Sequence, residues 1–170
     1  MIRTWLAIAR LRITIPLQKL ALRVMSTRTP DFVIGGLESP YLLRWWILPR
    51  NRLFNVYLHQ FMRSDDDRAL HDHPWWNVSV LLAGSYLEHR ILAGGVHVVT
   101  ERAAGSIVAR GASTAHRIEL HRGYCTTLFI TGPKLREWGF HCRRGWVPWQ
   151  KFTTPGDTGT IGAGCGEESV

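Results

Sequence analysis

Cysteine is scarce in this chain of 170 residues: Cys125, Cys142 and Cys165 are the only three, and no two form a C-x-x-C pair. An odd, widely spaced set is poor material for a disulfide framework. It excludes a disulfide-dense miniprotein and predicts a reducing compartment, the cytoplasm. Long apolar runs are also missing, since none approaches the roughly 18 residues of a membrane-spanning helix. The first thirty residues carry no acid, but they hold Arg3, Arg10, Arg12, Lys19, Arg23 and Arg28. Most of the formal net charge of +8 is therefore terminal, and residues 31–170 are only slightly basic. No continuous basic stripe follows, so nucleic-acid binding is not expected. Gly132-Pro-Lys134 lacks the frame of a phosphate loop. No internal repeat is evident.

What is present divides into three parts. Residues 1–30 form a basic amphipathic segment interrupted by Pro16, which suits the start of a short helix over Leu17, Leu20, Leu22 and Val24. That segment is expected to dock on the domain or a partner subunit, with contact of residues 1–28 to an anionic membrane surface as the alternative. Residues 31–152 read as the folded domain, and residues 153–170 as a Gly-rich tail, extended or mobile. Within the domain, strand-sized runs alternate with turn signals: 32–34, 41–48, 53–62, 75–86 with a break at Ala83-Gly84, 96–100, 105–109, 116–119 and 125–131. The pattern predicts an all-β barrel or sandwich. Leu135–Phe140 reads as a short turn of helix.

His71-Asp72-His73 is the sharpest local feature. On an extended strand, residues two apart share a face, so both imidazoles can meet one metal. Asn77 and Trp75 share parity with His73. His116 completes a three-histidine set only if a later strand returns beside the first. Tyr57 and His59 alternate on one predicted strand and are candidate pocket-lining residues with Trp75 and Arg63, and Trp75 could stack a sugar or aromatic substrate. Arg63, Arg68, Arg110 and Arg117 are candidate anion binders. Asp65, Asp66 and Asp67 suggest either oxygen ligands for a hard cation or a solvated turn. Cys125 reads as a small buried hydrophobe.

These residues resemble the two motifs of the cupin superfamily. The first motif runs from a glycine through a His-x-His pair and a glutamate to a closing glycine; here Asp65, His71, His73, Asn77 and Gly84 stand at those places. The second runs glycine, proline, glycine, histidine, asparagine; here Gly105, Gly111, Ser113, His116 and Leu120 correspond. The resemblance covers roughly residues 50–132. It implies a small cupin-like β-barrel, a double-stranded β-helix or jelly roll, preceded by a short N-terminal helical segment. It also implies one divalent transition metal (iron, manganese, zinc or nickel) on His71, His73, His116 and the Asn77 position. Asn77 replaces the family's carboxylate, and Glu88, Glu101 or Glu119 could supply a substitute. The function implied is that of a metal-binding cupin acting on a small polar or anionic molecule, with oxygenase-like oxidoreductase chemistry favoured over isomerase or lyase chemistry. The alternative is a non-enzymatic cupin that binds a ligand or a protein partner. Cupins often dimerise, so a homodimer is expected. No catalytic acid or base is assigned.

Overall fold

The computed structural model describes the backbone of residues 2–65 and 69–166 and the side chains of residues 14–65, 69–156 and 160–166. Asp66, Asp67 and Arg68 lie outside the described residues. The elements are α1 (Ile2–Thr27), β1 (Phe32–Ile34), β2 (Leu42–Trp46), β3 (Asn55–Phe61), β4 (Leu70–His71), β5 (Asn77–Ala83), β6 (Ser85–Ile91), β7 (His97–Ala103), β8 (Ile107–Arg110), β9 (Arg117–Glu119), β10 (Cys125–Thr131), β11 (Gly139–Cys142), β12 (Gly145–Pro148), α2 (Trp149–Phe152), β13 (Thr153–Thr154) and β14 (Asp157–Ile161). Every strand pairing is antiparallel.

The strands form a six-stranded sheet (β1-β2-β3-β10-β5-β8), two three-stranded sheets (β12-β11-β4 and β7-β6-β9) and the β13-β14 hairpin. Among the described residues these sheets close no barrel. Mostly-β architecture with an N-terminal helix is what the expected barrel becomes. Alternation along the central strands explains the layering. One parity of the large sheet, with Leu42, Phe61 and Leu81, packs with Tyr86 of β6 and Ile118 of β9. The other parity, with Trp45, Leu58, Val80 and Leu82, packs with Ala21 of α1, flanked by Leu17, Val24 and Met25. Both faces of the large sheet are thus covered. Fully burying a side chain such as Leu58 contributes about 1.5–3 kcal/mol.

The expected short helix is a 26-residue helix that continues through Pro16. The proline forfeits a helical hydrogen bond, at a cost of about 3 kcal/mol. The following turns are held by the packing just described and by Gln18, whose amide donates to the Leu82 carbonyl at 2.6 Å. Tertiary packing overrides the local break. Among the described residues, no helix is long and apolar enough to cross a membrane.

The expected break at Ala83-Gly84 is the turn between β5 and β6. Gly84 has φ +73°, and a Cβ there would lie 2.3 Å from the Tyr124 carbonyl oxygen, so only glycine fits. Leu135–Phe140 forms no helix. The Leu135 N–H bonds to the Pro74 carbonyl, the Gly139 N–H donates to the Asp72 carboxylate, and β11 starts there. The tail departs from expectation as well. β13 and β14 form a hairpin, the Gly162 and Gly164 N–H groups bond to the Phe152 carbonyl, and Cys165 is disulfide-bonded to Cys142. The cysteine count pointed away from such a bond. The fold joins two residues 23 apart in sequence by turning the tail back onto β11, which spacing alone does not encode. Cys125 is free and fully buried in the core, and burial pushes its thiol up to about 12.

Candidate metal centre

His71 and His116 face each other across an isolated antiparallel bridge. Each backbone N–H donates to the other's carbonyl at 2.9 Å. Directly paired residues place their side chains on one face, and this bridge brings the two sequence motifs together. The chain stays extended past β4, and the His73 N–H donates to the Ala112 carbonyl at 3.1 Å. His73 therefore shares the face of His71. Asp72 points the other way and is fully buried. Its carboxylate accepts from the Gly139 N–H at 2.9 Å and from Trp146 Nε1 at 3.1 Å, and it pairs with Arg136 and His141. The middle residue of the motif is thus an anchor that fixes the segment on β11 and β12.

One nitrogen from each of His71, His73 and His116 lies within 4.8 Å of the other two, a group able to hold one metal ion. The Nε2 atoms of His73 and His116 are 2.9 Å apart. Burial lowers the pKa of all three imidazoles. Neighbouring histidines lower those of His73 and His116 further, and Arg110 lowers all three. The rings are held in the neutral form that a metal requires. His116 Nδ1 is buried without a hydrogen-bond partner and lies 3.5 Å from Glu88 Oε1. His71 Nδ1 lies 3.8 Å from Asp65 Oδ2. A carboxylate behind a ligating imidazole orients the ring and raises its basicity. The residues therefore fit a divalent ion of the kind that accepts imidazole nitrogen, such as zinc, iron or nickel.

Asn77, the fourth expected ligand, is engaged by Arg110. It is buried, and its Oδ1 accepts from Arg110 Nη1 at 3.3 Å. Of the three alternative carboxylates, only Glu88 lies beside the centre. It is fully buried between Arg110, at 2.6–2.7 Å, and Arg102, at 2.9 Å. Glu101 pairs with His121 and Arg122, and Glu119 with His89 and Arg117, on the β7-β6-β9 sheet. Glu88 and Arg110 thus form a compensated, buried ion pair beside the three histidines.

The three histidines form part of the wall of a cavity of about 240 Å³. Its lining is mainly apolar, with Phe61, Trp75, Phe129, Trp138 and Phe140 prominent. Trp75 and His59 line it. Tyr57 is buried, stacked on His59 with centroids 5.8 Å apart, and is not part of the wall. Arg63 is not among the lining residues; it donates to the Ser39 carbonyl and stacks over Tyr41, which does line the cavity. Arg110 is consumed by Glu88, and Arg117 pairs with Glu119. Trp76 is partly exposed and packs against Gly132, where a Cβ would lie 2.1 Å from the indole nitrogen; that close approach accounts for the glycine of the Gly132-Pro-Lys134 segment.

Two further residues contribute, one with a role other than those expected and one that sequence reasoning missed. Asp65 is buried rather than a solvated turn residue: its Oδ2 accepts from the Ile118 N–H at 2.6 Å and its Oδ1 from the Tyr41 hydroxyl. Its place at the start of the first motif was the available signal. Arg44 lines the cavity from β2, and nothing in its local sequence marks it.

No family model matches the chain, and no curated protein sequence matches it significantly. Solved structures do resemble it. An RmlC-like cupin protein from Ralstonia eutropha is 16% identical, with 72% of this chain and 75% of that chain covered and a TM-score of 0.48. The polyketide cyclase RemF from Streptomyces resistomycificus is 14% identical, with 62% and 72% covered and a TM-score of 0.48. A Klebsiella pneumoniae protein with a double-stranded β-helix domain is 16% identical, with 58% and 78% covered and a TM-score of 0.45. At this level of likeness no residue role passes from them to this chain, and the chemistry of the site rests on the convergence of His71, His73 and His116.

Proposed function

We propose that this chain is a metal-dependent enzyme of cupin type. It binds one divalent transition metal through His71, His73 and His116 and acts on a small polar or anionic substrate in the adjoining cavity. Oxygenase-type oxidoreductase chemistry is the leading class. The observation that carries the proposal is the meeting of three neutral imidazoles, His116 buried and His71 and His73 half-buried, from two distant segments on the wall of a cavity.

A structural metal site is commonly closed by four protein ligands, whereas a catalytic site keeps a position open. Among the described histidines, cysteines and carboxylates, the donor group has three members. Asn77 and Glu88 are both engaged by Arg110. A bound metal would supply Lewis acidity toward an oxygen-bearing ligand. The chain's own residues hold the imidazoles neutral, orient His116 through Glu88, and enclose the ligand with aromatic walls that limit water. The jelly-roll arrangement is part of the same proposal, since the His71–His116 bridge joins the two motifs as that topology requires.

The test is oxygen consumption by protein loaded separately with iron, manganese, nickel or zinc, against a panel of small organic acids and polar aromatics. The proposal expects turnover with one metal and its loss in His116→Ala. Metal uptake without turnover of any panel member, by oxygen consumption or product analysis, would favour the non-enzymatic ligand-binding alternative.

A further inference from the structure

Arg44 is a cation set into the cavity wall with no acid beside it among the described residues. It extends from the inner face of β2, and it is the only arginine or lysine among the described lining residues. Its Nε donates to His59 Nε2 at 2.9 Å, and its guanidinium carbon lies 4.9 Å over the Tyr57 ring. Among the described residues no carboxylate lies within ion-pair distance of it. Asp65, the only described acid in the lining, is bound by Tyr41 and the Ile118 N–H and faces His71. Burial lowers the Arg44 pKa to about 10, which still leaves the group charged at neutral pH. A largely buried cation without an anion is costly. Such an arrangement is stable in function when a ligand supplies the missing charge.

Geometry narrows the ligand. His59 occupies Nε, so the edge formed by the two Nη groups remains for a two-pronged contact, the geometry that matches a carboxylate. One arginine balances a monoanion, whereas a phosphate dianion would call for more positive charge. Two further polar groups of the same wall, Thr127 Oγ1 and Trp75 Nε1, are buried without hydrogen-bond partners. Phe129 stacks on His59, with centroids 4.9 Å apart, and touches His73 at 6.1 Å. The path from the cation to the histidine cluster therefore runs along two rings, His59 and Phe129. At about 240 Å³ the cavity falls below the roughly 300–1,000 Å³ of sites for drug-sized ligands.

We infer that the cavity binds a small organic monocarboxylate with an apolar or aromatic body, its carboxylate held by Arg44 and the rest directed toward His71, His73 and His116. This rests on the proposed function for what happens at the histidines, but not for the binding itself. His59 is a positioning residue: neutral and buried, it fixes the guanidinium through Nε.

The experiment is isothermal titration of metal-stripped and metal-loaded protein with four probes: benzoate, benzamide, phenyl phosphate and acetate. Metal uptake is measured separately by elemental analysis. Benzoate is expected to bind one per chain, with benzamide, phenyl phosphate and acetate each at least tenfold weaker. Arg44→Met is expected to weaken benzoate at least tenfold without changing its weak affinity for benzamide, and Arg44→Lys to recover part of the loss. Equal affinity for benzoate and benzamide, no benzoate binding, or benzoate binding unchanged in Arg44→Met would overturn the inference. If Arg44→Met fails to fold, the four-probe comparison on the wild type decides. Arg44-dependent benzoate binding without metal uptake would retain the subsite and refute the metal reading. Metal uptake with charge-indifferent binding would do the reverse.

Discussion

Replacing Glu88 with glutamine keeps its shape and removes its charge, which isolates the ion pair behind the metal centre. The Glu88 carboxylate accepts from Arg110 Nε at 2.7 Å and approaches Arg110 Nη2 at 2.6 Å; Arg102 Nε is 2.9 Å away. The Glu88 and Arg110 side chains are 0% and 1% exposed. Without the charge, Arg110 keeps neutral contacts: Asn77 Oδ1 at 3.3 Å, Ser79 Oγ at 3.2 Å and the Tyr86 hydroxyl at 3.2 Å. Breaking a buried pair by removing one partner costs about 3–5 kcal/mol, because the remaining charge stays buried. Glu88→Gln is therefore expected to destabilise the metal-free protein by about that amount in urea unfolding. Arg110→Met placed on top should recover most of the loss, since exchanging both partners for uncharged groups is often close to neutral. The double-mutant cycle should show a coupling above about 2 kcal/mol. Metal affinity of Glu88→Gln, measured by competition with a chelator, should fall about 10–100-fold, because His116 Nδ1 loses the carboxylate 3.5 Å away. A cost below about 1 kcal/mol with additive single variants would refute the assignment of Glu88 as the charge that makes burial of Arg110 tolerable.

Burial holds His59, His71, His73 and His116 below their ordinary pKa. Below about pH 6.5 the unfolded chain takes up protons that the native state refuses, so stability falls as pH falls, by about 1.4 kcal/mol per unit for each imidazole that stays neutral. Urea midpoints of metal-free protein should be flat above about pH 7.5 and drop steeply by pH 5.5; a flat profile through that range would contradict the burial of these rings. The Cys142–Cys165 bond closes a loop across a sequence separation of 23, so Cys142→Ser should cost about 3 kcal/mol on chain-entropy grounds. Thermal melts with and without reductant check this, and identical melts would show that the tail is held by the β13–β14 contacts alone.

How far the fold was legible depended on how local its causes are. β3 and β10 were readable because alternation along a strand is set by neighbours two apart, and β10 begins and ends where the pattern does, at Cys125 and Thr131. The β5–β6 corner was readable because Gly84 carries its own reason in its backbone. His71, His73 and His116 were nameable because their order follows two motifs. Other features are properties of the folded chain. The helix crosses Pro16 because the next turns find Trp45, Leu58 and Val80 on the large sheet. Gly139 opens a strand instead of ending a helix because Asp72, 67 residues earlier, accepts its N–H. Arg44 became a site residue only when β2 paired with β3 in the register that sets it opposite His59. The choice of Glu88 among three acids required the layering of β6 against β8 and the Arg110 contact.

The most direct test is metal content per chain, by elemental mass spectrometry, of tag-free protein purified without added metal, alongside folded His71→Ala, His73→Ala and His116→Ala. The account predicts close to one divalent transition metal per wild-type chain and a large loss in each of the three variants, because each removes one member of the same donor group. Wild-type protein that carries no metal and takes up no iron, manganese, nickel or zinc would contradict the account, as would full metal content in all three variants.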